Sequence, residues 1–364
     1  MHIASPCSIW VMKHFIINLV FVFLLAGCDS FSSSPVSKSA SRQEDFTAMV
    51  WNVQSLFDSE EAGNEYADFL EASGWTMEKY QARLTAISQA VLDITPDIAG
   101  FVEIENANVL EDLGKSSFLK NGYKWSAFSN LPGSPLGIGV LSRFPLTDIR
   151  THSITIGNDT APRPILEVRI EPQEKPLVFF VCHWKSKLGN DTVALRRAAA
   201  RVIQRRLAEL RESEANTPAI IMGDLNENHD EFYLNGRTYI SALLPDDPHA
   251  AELAAGTRDF LVLSREKPPR ASCFPQDVQA LYSPWGAEMT NGSYFYRGNW
   301  ETIDHFLLSG GLFSGSGWRF SGCHVLNDEP FTTAKGVPNA YAARSGRGLS
   351  DHLPLLLHLR LSEL

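Results

Sequence analysis

The sequence predicts an α+β chain of two sheets packed face to face with helices outside. Strand-like runs outnumber helical ones, the two kinds are mixed along the chain, and no repeat period appears. With 364 residues, 44% hydrophobic and 20% charged, the composition is that of an ordinary globular protein. The run FTAMVWNV (46–53) reads as a strand, and TMEKYQARLTAISQAVLDI (76–94) has apolar residues at helical spacing and stops before Pro96. DIAGFVEIEN (97–106), LGIGVLSRFPL (136–146), ILEVRI (165–170) and PLVFFVCHWKSK (176–187) follow as strands. A basic amphipathic helix covers 192–213, then AIIMGDLN (219–226), ETIDHFLLSG (301–310), GCHVLND (322–328) and HLPLLLHLRL (352–361) read as strands. Residues 228–299, rich in Pro, Gly and Asp, read as a loop-rich insertion and the expected seat of specificity.

Upstream of Phe46 the pattern changes. Residues 12–30, MKHFIINLVFVFLLAGCDS, have a basic start, an apolar core from Phe15 to Ala26 and small residues before a cysteine. That core is too short for a membrane-spanning helix, which needs about 20 residues, and suits a signal peptide with its start at Met12. LAGC (25–28) resembles the bacterial lipobox, which predicts lipidation of Cys28 and anchoring in the cell envelope, facing outside the cytoplasm. The expected organisation is therefore a signal at 1–28, a serine-rich tether at 29–45 and one domain at 46–364. Net charge is −10, and since Lys13 is the only charge before Cys28 the mature chain carries −11. So acidic a chain has no general attraction for nucleic acid or anionic lipid, and a phosphate substrate would need a local basic strip or a bound cation. Past Cys28 there are three cysteines, of which Cys273 and Cys323 could pair in an oxidising compartment; unpaired thiols are the equal alternative.

The strand-like runs end in polar residues. Asn52, Glu103 and Glu105, His183 with Lys185 and Lys187, Asp224 and Asn226, Asp304, and Asp351 with His352 all lie at such ends. Each alone has a plain structural explanation. Together, the four carboxylates of Glu103, Asp224, Asp304 and Asp351 at one site would repel one another unless something cationic lay between them. Carboxylate and carboxamide oxygens suit a hard divalent cation such as Mg²⁺, Mn²⁺ or Ca²⁺. With two histidines and no activated Ser or Cys, the expected chemistry is attack of water on an electrophile, and phosphate esters fit best. Alternation puts Asp304 and His305 on opposite sides of their strand, leaving His305 a structural or surface histidine. It puts His183, Lys185 and Lys187 on one side as a basic strip. Arg297 is a further candidate for the substrate's flanks, while the helix arginines 196, 197, 201, 205 and 206 read as a solvated face paired with glutamates.

The ordered set WNV, VEIEN, LSRFPL, HWKSK, GDLNEN, NWETIDHFLLS and LSDHLPL, from about residue 46 to 361, resembles the endonuclease/exonuclease/phosphatase superfamily, whose fold is that of pancreatic deoxyribonuclease. The resemblance implies a four-layer α/β/β/α sandwich with the site where strand ends of both sheets meet. It implies Glu103 as principal metal ligand with Asn52 and Asp351 beside it, and Asp304 fixing the tautomer of His352. It further implies His183 as donor to a phosphate oxygen or leaving group, and Asp224 and Asn226 as positioning the water and the scissile phosphate. The sequence departs from the inositol-polyphosphate phosphatase branch after GDLN and at ETIDH. The expected activity is a divalent-metal-dependent phosphodiesterase, a nuclease on DNA or RNA. A phospholipid or sphingolipid phosphodiesterase and an inactive binding lipoprotein are the alternatives.

Overall fold

The computed structural model describes residues 44–362 apart from 117–119, 121, 158, 162, 190 and 216. The expected signal, Cys28 and nearly all of the tether lie outside the described residues. Apolar runs buried on both faces set the architecture. In chain order the N-terminal half holds β1 (Asp45–Leu56), α1 (Met77–Ile94), β2 (Ile98–Ile104), α2 (Ala107–Lys115), β3 (Trp125–Ser129), β4 (Gly137–Ser142) and β5 (Asp148–His152). A short ribbon of β6 (Thr155–Ile156) and β7 (Asp159–Thr160) precedes β8 (Ile165–Ile170), β9 (Leu177–His183), α3 (Thr192–Ser213) and β10 (Ala219–Asp224). The next stretch contains α4 (Glu231–Leu234), β11 (Leu243–Pro245), α5 (Pro248–Leu253), β12 (Leu261–Ser264) and β13 (Ala280–Tyr282). The hairpin of β14 (Tyr294–Tyr296) and β15 (Asn299–Glu301), then β16 (Asp304–Leu308), β17 (Gly317–Val325) and β18 (Leu355–Ser362), complete the chain.

One sheet has the order β17-β18-β1-β2-β4-β3 and the other β11-β12-β13-β16-β10-β9-β8-β5. Period-two alternation stacks them. Phe46, Ala48 and Val50 of β1 meet Phe179 and Val181 of β9 and Met222 of β10 in the core between the sheets. Met49, Trp51 and Val53 point the other way, against Leu84, Ile87 and Val91 of α1 and Leu110 of α2. Val178, Phe180 and Ile221 likewise leave the central core to pack on Ala199, Ile203 and Leu207 of α3. The layers are helix, sheet, sheet, helix, which is the expected four-layer sandwich.

Pairing direction aims the site. β1 runs parallel to β2, and β9 parallel to β10, so the carboxyl ends of each pair share an edge. β16 enters antiparallel to β10 with Asp304 opposite Asp224. Gly223 makes this register possible. Its φ is +142°, and a Cβ there would lie 1.9 Å from the Cys182 carbonyl oxygen. Gly223→Ala is expected to cost about 3 kcal/mol, read as a lowered urea midpoint at unchanged m-value.

Two expectations change, and one of the two equal alternatives for the cysteines holds. Residues 228–299 are not a bare loop insertion: β11, β12 and β13 extend the second sheet, and Phe232, Leu244, Phe260, Val262 and Phe274 form a core of their own. Strands of three or four residues are too short to show a period, and the intervening Pro and Gly mask them. Cys182, Cys273 and Cys323 are all free, so the Cys273–Cys323 bridge is absent. The helix arginines are only partly a solvated face: Arg196 is buried against the fully buried Glu227, Arg206 pairs with the buried Glu167, and Arg205 stays outside.

Candidate functional site

The carboxyl ends of β1, β2, β9 and β10, the start of β16 and the turn before β18 converge on one cleft of about 370 Å³. Glu103, His183, Asp224, Asn226, Asp351 and His352 line it. Asp304 lies behind, where its Oδ2 meets His352 Nδ1 at 2.8 Å and accepts from Ser293 Oγ at 2.6 Å. Tyr294 stacks on the His352 ring with centroids 4.5 Å apart, so the imidazole is held on a face as well as an edge.

Backbone strain concentrates here. Gln54, Ser55, Glu103 and Asn226 all have left-handed φ values of 53°, 60°, 67° and 51°. Non-glycine residues adopt that region at a cost, and such positions gather where geometry matters for function. At Glu103 the strand register slips between Val102 and Ile104, a bulge that re-aims one side chain. Simple alternation would place Glu103 and Glu105 on one face. The bulge separates them: Glu103 enters the cleft, while Glu105 turns away to accept from the Asp58 N–H at 2.7 Å. The strained turn after β1 is braced from below. Buried Arg83 of α1 donates to the carbonyls of Val53, Gln54 and Ser55, with the Tyr341 ring 3.7 Å from its guanidinium carbon.

Asn52 Nδ2 donates to Glu103 Oε1 at 3.2 Å and to Asp224 Oδ2 at 3.1 Å, while its Oδ1 accepts from the Gln54 N–H at 2.9 Å. So arranged, Asn52 directs its N–H group to both carboxylates and braces them. Ser55 Oγ donates to Glu103 Oε2 at 2.9 Å. Asn226 N–H donates to Asp224 Oδ1 at 2.9 Å, and Asn226 Nδ2 to the Trp184 carbonyl at 3.1 Å.

A residue absent from the sequence expectations completes the cleft. Arg163 Nη1 lies 2.7 Å from His183 Nε2 and donates to the Trp184 carbonyl at 2.9 Å. A guanidinium cannot accept, so His183 Nε2 accepts, and His183 is a neutral acceptor here rather than a donor through that nitrogen. Burial and the Arg163 charge both push His183 well below the usual histidine range. Arg163 follows an irregular link in which no periodicity marks it.

The basic strip is shorter than alternation predicted, because the strand ends at His183. Lys187 does line the cleft, bound to Glu231 and Glu301 at 3.0 Å each. Lys185 turns aside to Ser186 Oγ and the Leu188 carbonyl. Arg297 sits at the tip of the β14–β15 hairpin, its guanidinium carbon 5.0 Å from the centre of the Tyr296 ring, and Tyr296 itself lines the cleft. His305 faces away, fully buried against the Glu227 carbonyl at 2.8 Å, and burial pushes it down to about 4.

Electrostatics divide the cleft into a proton-holding and a cation-seeking part. Burial alone would depress His352, but the Asp304 charge and hydrogen bond prevail, with Asp351 and Asp224 adding to them, and raise it well above the usual range. Burial and the nearby Asp304 push Asp224 up to about 7. Burial raises Asp351, with a further push from Glu103. Glu103 and Asp351 thus supply hard oxygen donors, and the Glu103 charge disfavours that of Asp351, a donor set that fits Mg²⁺, Mn²⁺ or Ca²⁺. Asp224, Asp304 and His352 also bring one donor atom each within 4.8 Å of one another. There the imidazole Nδ1 is already committed to Asp304, so the Glu103–Asp351 side is the better seat for a cation.

A fold of two layered sheets with acids and two histidines at their shared edge defines a hydrolase of the phosphoester type, and residues 47–241, more than half of the chain, match the model of the endonuclease/exonuclease/phosphatase family. The chain belongs to that family, whose members typically depend on divalent metal. Among solved structures it is similar to truncated TDP2 from Caenorhabditis elegans (TM-score 0.54, 14% identity, 87% of this chain and 97% of that one). It is also similar to family proteins from Bacteroides vulgatus (0.51, 16%, 88% and 100%) and Beutenbergia cavernae (0.51, 15%, 88% and 72%). These identities speak to fold alone. No curated protein matches the sequence.

Proposed function

We propose that the chain is a divalent-metal-dependent phosphodiesterase acting on nucleic acid, held in the bacterial envelope by a lipid on Cys28. The observation that carries the chemistry is the convergence of Glu103, His183, Asp224 and Asp351 with the His352–Asp304 pair in one cleft. A cation held by Glu103 and Asp351 would neutralise phosphate charge and polarise the scissile bond. The chain's own groups supply the rest. Asp224, whose carboxyl sits near neutrality, is placed to take a proton from water, and Asn226 fixes its orientation. His352 keeps its proton because Asp304 faces it, and its Nε2, 4.0 Å from Asp224 Oδ2, points where a leaving oxygen would need that proton. Arg163, positioned by Trp184 and His183, supplies fixed positive charge to a phosphate in an otherwise acidic protein.

Arg163→Ala is expected to lower kcat/KM on bis(4-nitrophenyl) phosphate by about 100-fold, the scale of one lost fixed donor. Arg163→Lys should restore only part of it, since the fork geometry goes with the guanidinium. Equal activity in all three proteins would remove Arg163 from the site. Substrate class is tested by offering plasmid, RNA and sphingomyelin vesicles with Mg²⁺: cleavage of vesicles alone would replace the nuclease reading by the lipid one. Anchoring is tested by Cys28→Ser, which should move the protein from the membrane to the soluble fraction.

A further inference from the structure

A second cavity, of about 380 Å³, adjoins the cleft. Glu301 and Ile303 line the cleft, while Thr302 between them accepts from the His229 N–H at 3.2 Å and meets His229 Nδ1 at 2.9 Å. His229 faces this second cavity together with Tyr233, Asp246, Arg265, Ser283 and Trp285. The size falls in the range of small-molecule pockets, about 300–1,000 Å³.

Some of its polar groups have no partner among the described residues. Ser283 is 3% exposed, and its Oγ has no hydrogen-bond partner among the described residues. Among the described residues no hydrogen bond or ion pair holds the Arg265 guanidinium. Arg265 Nη2 and His229 Nε2 lie 3.3 and 3.5 Å from where a Cβ on Gly286 would stand, so the missing side chain keeps both accessible. His229 Nδ1 is taken by Thr302, which leaves Nε2 free, and the ring stacks on Trp285 with centroids 6.2 Å apart. Asp246 accepts from the Ser272 and Cys273 N–H groups, one on each oxygen, and each oxygen retains a lone pair.

This mixture selects its ligand. A bare phosphate would meet the carboxylates of Asp246 and Glu266, and a wholly apolar ligand would cover the Arg265 guanidinium without replacing its water. A planar heterocycle with acceptors on one edge and donors on another satisfies both sides and lies against an aromatic wall. Guanine has that pattern: O6 and N7 are acceptors that arginine reads in a bidentate way, and its ring and exocyclic N–H groups suit a carboxylate.

We propose that this cavity binds a guanine base. It rests on the reading of the cleft as a nuclease site only in making the natural source a guanosine of the nucleic-acid substrate. The test is calorimetric titration of the full chain with 5′-GMP in chelating buffer, where no hydrolysis interferes. GMP is expected to bind at least about 10-fold tighter than CMP, and Arg265→Ala, at an exposed position, to abolish that difference. Glu103→Gln in the cleft should leave GMP binding unchanged. An octanucleotide with one guanine binding tighter than GMP would assign the source to polymer, and the reverse order to free nucleotide; either supports the site. GMP binding no better than CMP, unaffected by Arg265→Ala, or lost in Glu103→Gln would overturn it. Plasmid cleavage with Mg²⁺, scored separately, decides the nuclease reading without touching this result.

Discussion

His352→Ala is expected to lower phosphodiester hydrolysis by at least about 100-fold, the scale of a lost general acid. The fold should survive, because the ring sits at the cleft, against Tyr294 and Asp304, rather than in any of the hydrophobic cores. The partner Asp304 should behave differently from a group that touches substrate. Asp304→Asn keeps the shape and removes the charge that holds the proton on His352. A histidine whose proton is held by a neighbouring carboxylate loses it at lower pH once that carboxylate is gone, so the alkaline limb of the kcat/KM profile should move to lower pH. A merely structural Asp304 would lower stability and leave the profile in place. The acid limb is expected to follow Asp224: if its carboxyl, pushed up to about 7, must be ionised to accept a proton, activity should rise with pH through that region.

The largest effect on stability is expected away from the chemistry, at Glu227. This residue of the GDLNEN run is fully buried and bonds Arg196 Nε at 2.8 Å and the Leu243 N–H at 2.9 Å, while its own carbonyl meets His305. It thereby ties α3, β11 and β16 together just behind the cleft. Removing one partner of a buried ion pair costs about 3–5 kcal/mol, because the other charge is left stranded. Glu227→Ala should lower the stability read from urea unfolding by that amount. The double variant Glu227→Leu with Arg196→Met should recover a large share, since an apolar pair of similar volume leaves no stranded charge. If the two single changes simply add in the double variant, the pair is not the cause.

How much of this was legible follows from where regular periodicity holds. The expected helices at 76–94 and 192–213 correspond to α1 and α3, and ILEVRI to β8, because long amphipathic or β-branched runs carry a clear period. Strand-end polar residues were legible for a related reason: Asp224 and Asp304 follow or begin apolar runs that can only be buried strands. What alternation could not show lies where it breaks. The bulge at Glu103 parts it from Glu105, the end of β9 at His183 sends Lys185 aside, and the left-handed turn at Gln54 and Ser55 is held by Arg83 from a distant helix. Arg163 carries no local signal because its role depends on His183, 20 residues further on. Helix α2, the strands β3 and β5, and the short β11, β12 and β13 escaped for want of length or contrast.

The proposed seat of a divalent cation between Glu103 and Asp351 is tested most directly by calorimetric titration of the chelator-stripped chain with Mn²⁺, paired with plasmid cleavage in the same samples. The expected result is saturable Mn²⁺ binding in the wild type that Glu103→Gln weakens at least about 10-fold, with cleavage that rises with Mn²⁺ occupancy and stops on chelation. Wild-type cleavage that continues at full rate in chelator, or Mn²⁺ binding untouched by Glu103→Gln, would contradict it.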